Sequence, residues 1–144
     1  MKKGVDYIGV GCVFYCHDGK GKILMNKRSK NCRDEVGVWD PGGGAMRVGE
    51  TFEEAVRREI REEYCSEVVD LKFIAVNNVL RKNGKEKTHW VAVIFAAEVI
   101  PEKVKIGDPD KIENIGWFSL DNLPVPLHSM FHEHLKMVKK AGVL

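Results

Sequence analysis

This chain of 144 residues has no long apolar run, no marked excess of one sign of charge and no closely paired cysteines. The longest uninterrupted apolar run extends from Trp90 to Ala97, whereas a helix needs roughly 20 such residues to cross a bilayer. We therefore expect no membrane-spanning segment and no membrane partner. Lys and Arg number 23 and Asp and Glu number 21, so the net charge of +2 is too small to indicate a nucleic acid polymer as partner. Any phosphate binding must be local.

The chain has too few cysteines for disulfide bonds to stabilise a fold of this length. The four cysteines are Cys12, Cys16, Cys32 and Cys65. They form no CxxC pair, so we expect reduced thiols rather than a disulfide scaffold or a structural zinc site.

The start of the chain does not resemble a secretory signal, because the basic residues Lys2 and Lys3 are followed by Gly4 to Asp6 instead of an apolar stretch. We expect a cytoplasmic protein. With 44% hydrophobic and 31% charged residues, the composition is that of a globular protein. The length is typical of one domain, so we predict a single domain over residues 1–144.

The apolar pattern predicts strands, a helix, more strands and a second helix. The predicted strands cover 7–16, 22–27, 68–79, 88–100 and 115–120, and the predicted helices cover 51–64 and 127–140. Residues 81–84 contain an Asn-Gly pair that predicts a hairpin turn. The cluster of breakers over 39–44 predicts a loop. This order favours an α+β fold in which a mixed sheet is covered on each face by a helix, an α/β/α sandwich.

The first predicted helix begins with a capping box, Thr51-Phe52-Glu53-Glu54. At about 100° per residue its apolar face holds Phe52, Ala55, Val56 and Ile60. Three acids lie on or beside that same face: Glu59, Glu62 and Glu63. Burying such acids without partners would cost several kcal/mol. An ion pair between Arg58 and Glu62 is the plain alternative, but a pair of this kind contributes only about 0.3–0.5 kcal/mol when exposed. Oxygen ligands grouped in this way suit Mg²⁺ or Mn²⁺.

The glycine segment ahead of this helix, Gly42 to Gly44, adds a place where phosphate can approach the backbone. A tight turn that requires glycine is the alternative. The segment lacks the ending of a P-loop, and Gly9-Val10-Gly11 lacks the third glycine of a dinucleotide-binding fold, so kinase and Rossmann interpretations fail.

These residues together resemble the signature of the Nudix hydrolase family, whose members cleave nucleoside diphosphates linked to another moiety. The matching positions are Gly44, then Glu50 after five residues, then Arg58-Glu59-Ile60-Arg61-Glu62-Glu63 after seven more. The signature covers about 44–66, and the rest of the chain resembles the Nudix-type sandwich in length and element order. Cys65 stands where the family has a glycine that ends the helix, and Pro41 comes one place earlier than the usual proline.

The resemblance implies a role for each matching residue. Glu59, Glu62 and Glu63 would ligate a divalent ion with Glu50 assisting, and Arg58 would orient a carboxylate. The general base would be Glu59 or an acid in a downstream loop. Mg²⁺ is the expected cofactor and Mn²⁺ a substitute. Gly43 and Gly44 would give the substrate room at the backbone. Arg28 ends a strand and is either a phosphate ligand or an exposed charge.

The resemblance also indicates a substrate class. Asp108-Pro109-Asp110-Lys111 resembles a loop found in MutT-like members that act on nucleoside triphosphates. Asp108 or Asp110 could add a ligand at the substrate site. We expect hydrolysis of a nucleoside triphosphate to a monophosphate and pyrophosphate. ADP-ribose or a nucleotide sugar is the alternative substrate, and a non-catalytic nucleotide-binding module is the alternative from another class. Family members are often dimers, so a homodimer is also open. Trp90 and Phe95 are expected to fill the core, although an aromatic near the cleft would suit a nucleobase.

Overall fold

The computed structural model describes the backbone of residues 1–144 and every side chain except that of residue 83. One seven-stranded sheet lies between two α-helices. The strands are β1 (Gly9–His17), β2 (Lys22–Arg28), β3 (Trp39–Asp40), β4 (Gly43–Ala45), β5 (Val68–Asn83), β6 (Glu86–Val99) and β7 (Ile112–Ser119). The helices are α1 (Phe52–Tyr64) and α2 (Phe131–Lys140), with a short 3₁₀ turn over Pro101–Lys103. None of the described helices is long and apolar enough to span a bilayer.

The sheet is mixed, as predicted. Its main order is β3-β2-β1-β6-β5, while β4 pairs with β1 and β7 pairs with β2. Strands β1 and β6 run parallel from the pair Gly9–Trp90 to the pair His17–Glu98. The other strand pairs are antiparallel. The central parallel pair brings the start of the chain beside residues about eighty positions later.

Two hydrophobic clusters fill the two sides of the sheet. Successive strand residues point to opposite faces, so neighbours on β1 enter different clusters. Phe14 packs edge-on against Tyr64 of α1 at 6.3 Å between ring centroids. Tyr15 packs against Phe131 of α2 at 5.6 Å. Each helix therefore covers one face, and the predicted α/β/α sandwich is confirmed.

Most predicted elements are present with different ends. The hairpin of β5 and β6 is longer than predicted, and its turn lies at Gly84 and Lys85. Residue 83, part of the predicted Asn-Gly turn, lies outside the described side chains. Helix α2 begins at Phe131 rather than at 127, because Leu127 forms a bridge with Trp39 instead of a helical turn.

The prediction of a loop over residues 39–44 is wrong. The segment contains β3 and β4, and Gly44 pairs with Cys12 of β1. A side chain at Gly43 would meet the Cys12 carbonyl oxygen at 2.5 Å, so glycine permits close approach of two strands here. Gly42, with φ of 128°, makes the bend between β3 and β4. Strand pairing therefore overrides the loop propensity of these residues.

Helix α1 begins and ends as the capping box predicts. The Thr51 side chain accepts a hydrogen bond from the Glu54 amide at 3.2 Å. Ala55, Val56 and Ile60 are buried as predicted. Phe52 is 45% exposed, so its predicted core position is wrong. Helical side chains lean toward the N-terminus, so the side chain of the first helical residue has no preceding turn of α1 to pack against.

Cys65 ends α1 in the left-handed conformation that the family's glycine would adopt. Its φ is 56° and its ψ is 27°, and its amide donates to the Arg61 carbonyl at 3.0 Å. A residue with a Cβ pays a conformational cost in this region that glycine does not.

We predict that Cys65→Gly raises the free energy of unfolding by up to about 1 kcal/mol, which corresponds to about 3 °C in Tm. Cys65→Ser is the control, because serine keeps the Cβ and with it the strain. Thermal unfolding of the three proteins measures the effect. Equal Tm values for the glycine and serine variants would contradict the prediction.

Candidate active site

Arg58 of α1 binds several acids at once. Its Nε and one terminal nitrogen donate to the two Glu50 carboxylate oxygens at 2.5 and 2.9 Å. Its other terminal nitrogen donates to Glu59 at 2.8 Å and to Glu62 at 3.3 Å. It also donates to the Ala45 carbonyl on β4 at 3.3 Å. The guanidinium therefore links the loop before α1, the helix and the glycine-rich strand.

The partners of Arg58 differ in how their charge is balanced. The bidentate hydrogen bonds from Arg58 lower the pKa of Glu50 to about 2. Burial raises the pKa of Glu59, and its hydrogen bond from Arg58 only partly offsets that effect. Arg58 itself has a raised pKa, mainly because of its hydrogen bonds to Glu50. One cation thus holds Glu50 firmly ionised but does not fully compensate Glu59.

Glu63 is not among the acids that Arg58 binds. Its Oε2 atom is buried and has no hydrogen-bond partner among the described residues. Burial raises its pKa well above the usual value, and the nearby negative charges of Glu59 and Asp40 raise it further. The Gly43 amide acts in the opposite direction. A buried, incompletely bonded carboxylate is costly unless a ligand completes its coordination.

Gly44 lies directly against the Glu59 carboxylate. A Cβ built at Gly44 would collide with that carboxyl group. The side chain of Glu59 is 14% exposed, so its carboxylate is largely buried where it lies against the backbone of β4. The wheel prediction for Glu59 and Glu63 therefore holds in space, since both carboxylates face the glycine segment. Glu62 is different, with a side chain that is 48% exposed and paired with Arg47 at 3.4 Å.

The donor set fits a divalent cation by its chemistry. We define the acid cluster as Glu50, Glu59, Glu62 and Glu63, which offer only oxygen ligands of the kind that Mg²⁺ and Mn²⁺ prefer. The orphaned Oε2 of Glu63 is an acceptor available to such an ion. Within the described part of the chain, no three acid, histidine or cysteine side chains are already arranged to hold a metal. Arg58 lies between three members of the cluster.

A cavity of about 630 Å³ lies on the α2 face of the sheet and is bounded on one side by Gly42 to Gly44. Residues that line it include Lys2, Lys3, Arg28, Arg81, Trp90 and Phe131. The glycine segment thus has the cavity on one side and Glu59 on the other. A cleft of this size is typical of a small-molecule site.

Arg28 lies in the cavity wall, where its positive charge is already engaged. It pairs with Asp34 at 3.1 Å and with Asp40 at 3.3 Å. Its role as a phosphate ligand stays a prediction. Any phosphate bound there would compete with these two aspartates.

The loop of Asp108 and Asp110 contacts the backbone at the end of α1, and within the described residues neither aspartate is hydrogen-bonded to a carboxylate of the acid cluster. The Gly107 amide donates to the Glu63 carbonyl at 2.8 Å. The Asp110 carboxylate accepts from Asn31 at 3.0 Å and lies 3.9 Å from Lys111. Neither aspartate lines the cavity. Their binding role stays a prediction as well.

Several cavity residues were not predicted as site residues. The N-terminal segment contributes Lys2, Lys3 and Val5, and Arg81 comes from β5. The sequence feature that relates to this cavity is the pair of glycines on β1, but their effect depends on pairing with β6, which lies far along the chain.

Trp90 is only partly buried and lines the cavity, so its expected core position is wrong. Phe95 is 2% exposed and lies in the core as expected.

Comparison with known proteins gives one family. A profile of the NUDIX domain matches residues 7–141. The ADP-ribose pyrophosphatase of Methanocaldococcus jannaschii is 33% identical over 119 residues, which cover 82% of this chain and 64% of that protein. The NAD-capped RNA hydrolase NudC of Pseudomonas aeruginosa is 34% identical over 100 residues, which cover 69% of this chain and 34% of that protein. The chain therefore spans about a third of the length of this relative.

A solved structure agrees with these relatives. The MutT NUDIX hydrolase from Burkholderia pseudomallei superposes with a TM-score of 0.82 at 32% identity, covering 92% of this chain and 99% of that one. The acid cluster and the glycine segment occupy the helix and strand that carry the motif seen in the sequence. Because the family profile matches nearly the whole chain, this protein belongs to the NUDIX domain family.

Proposed function

We propose that this protein is a Mg²⁺-dependent hydrolase of a pyrophosphate linkage in a nucleotide, with Mn²⁺ as a possible substitute ion. The observation that carries the proposal is the acid cluster, in which Glu63 has a buried oxygen without a partner beside the glycine segment. A merely structural network would have no need for this uncompensated acid. The adjoining cavity supplies space for the rest of a nucleotide.

The cation, when bound, neutralises charge on the pyrophosphate oxygens and lowers the pKa of water. Glu59, Glu62 and Glu63 would hold it, and Glu50 would assist. Gly43 and Gly44 have no side chains, so they would leave room for substrate phosphates at the backbone beside the acids. Arg58 keeps Glu59 and Glu50 in position through the hydrogen bonds described above.

The reaction is a single displacement by water. A bond forms between the water oxygen and one phosphorus, and the bond from that phosphorus to the bridging oxygen breaks, so the leaving phosphate takes the electron pair. Glu59 would accept the proton from the water, because burial raises the pKa of its carboxyl group above the usual value and makes it a stronger proton acceptor. An acid in the loop of Asp108 and Asp110 is the alternative base.

The proposed substrate is a nucleoside triphosphate, which would yield a monophosphate and pyrophosphate. Support comes from the loop Asp108 to Lys111 and from similarity to the MutT hydrolase of B. pseudomallei. ADP-ribose is the second candidate, because a relative that is 33% identical over 82% of this chain is an ADP-ribose pyrophosphatase. A homodimer and a cytoplasmic location remain predictions from the sequence.

Incubation with Mg²⁺ and a substrate panel tests the proposal directly. The panel contains canonical and oxidised nucleoside triphosphates, ADP-ribose and nucleotide sugars, and chromatography separates the products. We expect triphosphates to give monophosphate and pyrophosphate, and EDTA to abolish turnover. Cleavage of ADP-ribose alone would replace the first substrate by the second. Nucleotide binding with no turnover of any substrate would overturn the hydrolase proposal in favour of a binding module.

We predict opposite effects of Glu63→Gln on stability and on activity. The variant removes a buried charge that has no partner, so the metal-free protein should have a higher Tm than the wild type at pH 8. Its kcat should fall by at least about 100-fold, because a ligand is lost. Mg²⁺ should raise the Tm of the wild type but not that of the variant.

Glu53→Gln is the matched control for this experiment. Glu53 lies in the same helix, is exposed and has the same charge, so its replacement should leave both kcat and the Mg²⁺-dependent rise in Tm close to wild-type values. A Glu63→Gln protein with normal turnover and a normal response to Mg²⁺ would remove Glu63 from the site.

A further inference from the structure

The cavity exists because small residues leave a hollow in the α2 face of the sheet. Gly9 of β1, Trp90 of β6 and Val79 of β5 form one row across three strands. In the next row, Gly11 lies beside Ala92. Gly11, Ala92, Val79 and Trp90 all line the cavity. Side chains of ordinary size on β1 would fill this hollow.

The indole of Trp90 rests on the two glycine positions that flank it. A Cβ at Gly9 would lie 2.6 Å from Trp90 Cε3, and a Cβ at Gly4 would overlap the pyrrole edge of the same ring. Gly4 has φ of 81°, which only glycine adopts cheaply. The ring therefore packs directly against backbone at both positions, yet it remains partly exposed to the cavity.

The N-terminal segment that carries Gly4 is fastened to β6 at two points. The His89 amide donates to the Gly4 carbonyl at 2.8 Å. Lys2 Nζ pairs with Glu86 at 2.9 Å. These contacts keep the segment against the indole and make it one wall of the cavity.

The indole is also close to the glycine segment, Gly42 to Gly44, which lies beside the acid cluster. A Cβ at Gly11 would lie 3.2 Å from the Gly44 carbonyl oxygen and 3.7 Å from Trp90 Cε3. Gly44 in turn abuts the Glu59 carboxylate. One glycine on β1 thus separates the aromatic surface from the strand at which the phosphates are proposed to react.

We propose that the indole face of Trp90 is the surface on which the nucleobase stacks, so that Trp90 selects nucleotides over sugar phosphates without a base. The inference rests on the proposed function only for the identity of the ligand as a nucleotide. An indole that is packed against backbone and partly exposed to the cavity offers an aromatic surface for the π-face that every nucleobase presents. Such stacking is tolerant of base identity, so Trp90 selects for the presence of a base rather than for its type.

Binding of AMP and of ribose 5-phosphate, measured by calorimetry, tests this inference, because the two ligands differ only in the base. Trp90→Ala should weaken AMP binding by about tenfold and leave ribose 5-phosphate binding unchanged. Trp90→Phe should keep most of the affinity for AMP. With a triphosphate substrate, Trp90→Ala should raise KM while kcat changes little.

Phe73→Ala is the matched control, because Phe73 is an exposed aromatic on the opposite face of the sheet, against Phe95. It should leave AMP binding unchanged. AMP should also quench the tryptophan fluorescence of the wild type and of Phe73→Ala, but not that of Trp90→Phe. Quenching in Trp90→Phe would come from Trp39 or Trp117 and would count against the inference.

Gly9→Ala tests the contact between the backbone of β1 and the indole of Trp90 without altering the indole itself. The added methyl group would displace the ring, so AMP binding should weaken while ribose 5-phosphate binding persists. Retention of that second ligand shows that the variant is folded. Equal loss of both ligands, or no loss of AMP in Trp90→Ala, would overturn the inference. A protein that binds AMP through Trp90 but hydrolyses no substrate would instead overturn the proposed function.

Discussion

Gly44 lies so close to the Glu59 carboxylate that no side chain fits between strand β4 and helix α1. Strand β4 is held in this position by its antiparallel pairing with β1, which also satisfies backbone hydrogen-bonding groups of both strands. Arg58 fastens the same place from the other side through the Ala45 carbonyl. The position of the whole acid cluster follows from these backbone contacts.

The charges of the cluster do not balance without a further cation. Arg58 bonds strongly to Glu50 and holds it ionised, which leaves less of its charge for Glu59 and none of its hydrogen bonds for Glu63. Burial therefore raises the pKa of both remaining acids. A divalent ion held by these acids would relieve this imbalance. Arg58 holds Glu50, Glu59 and Glu62 close together through its hydrogen bonds.

Local patterns predicted the helix but not the cavity. The capping box and the apolar period of α1 depend on residues a few positions apart, so the sequence located the helix and the inward faces of Glu59 and Glu63. The predicted loop over 39–44 failed because β4 is defined by its pairing with β1 rather than by its own glycines. The contact of Gly9 with Trp90 depends on strands distant in sequence, so no local pattern contained it.

The glycines of β1 and β4 leave space on both faces of the sheet. Because residues alternate along a strand, Gly9 and Gly11 face the cavity, whereas Cys12 faces α1 and pairs with Gly44. A longer side chain at Gly11 would enter the space between the indole and the Gly44 carbonyl. A longer side chain at Gly44 would displace Glu59. Glycine residues of these two paired strands therefore leave space for the cavity on one face of the sheet and for Glu59 on the other.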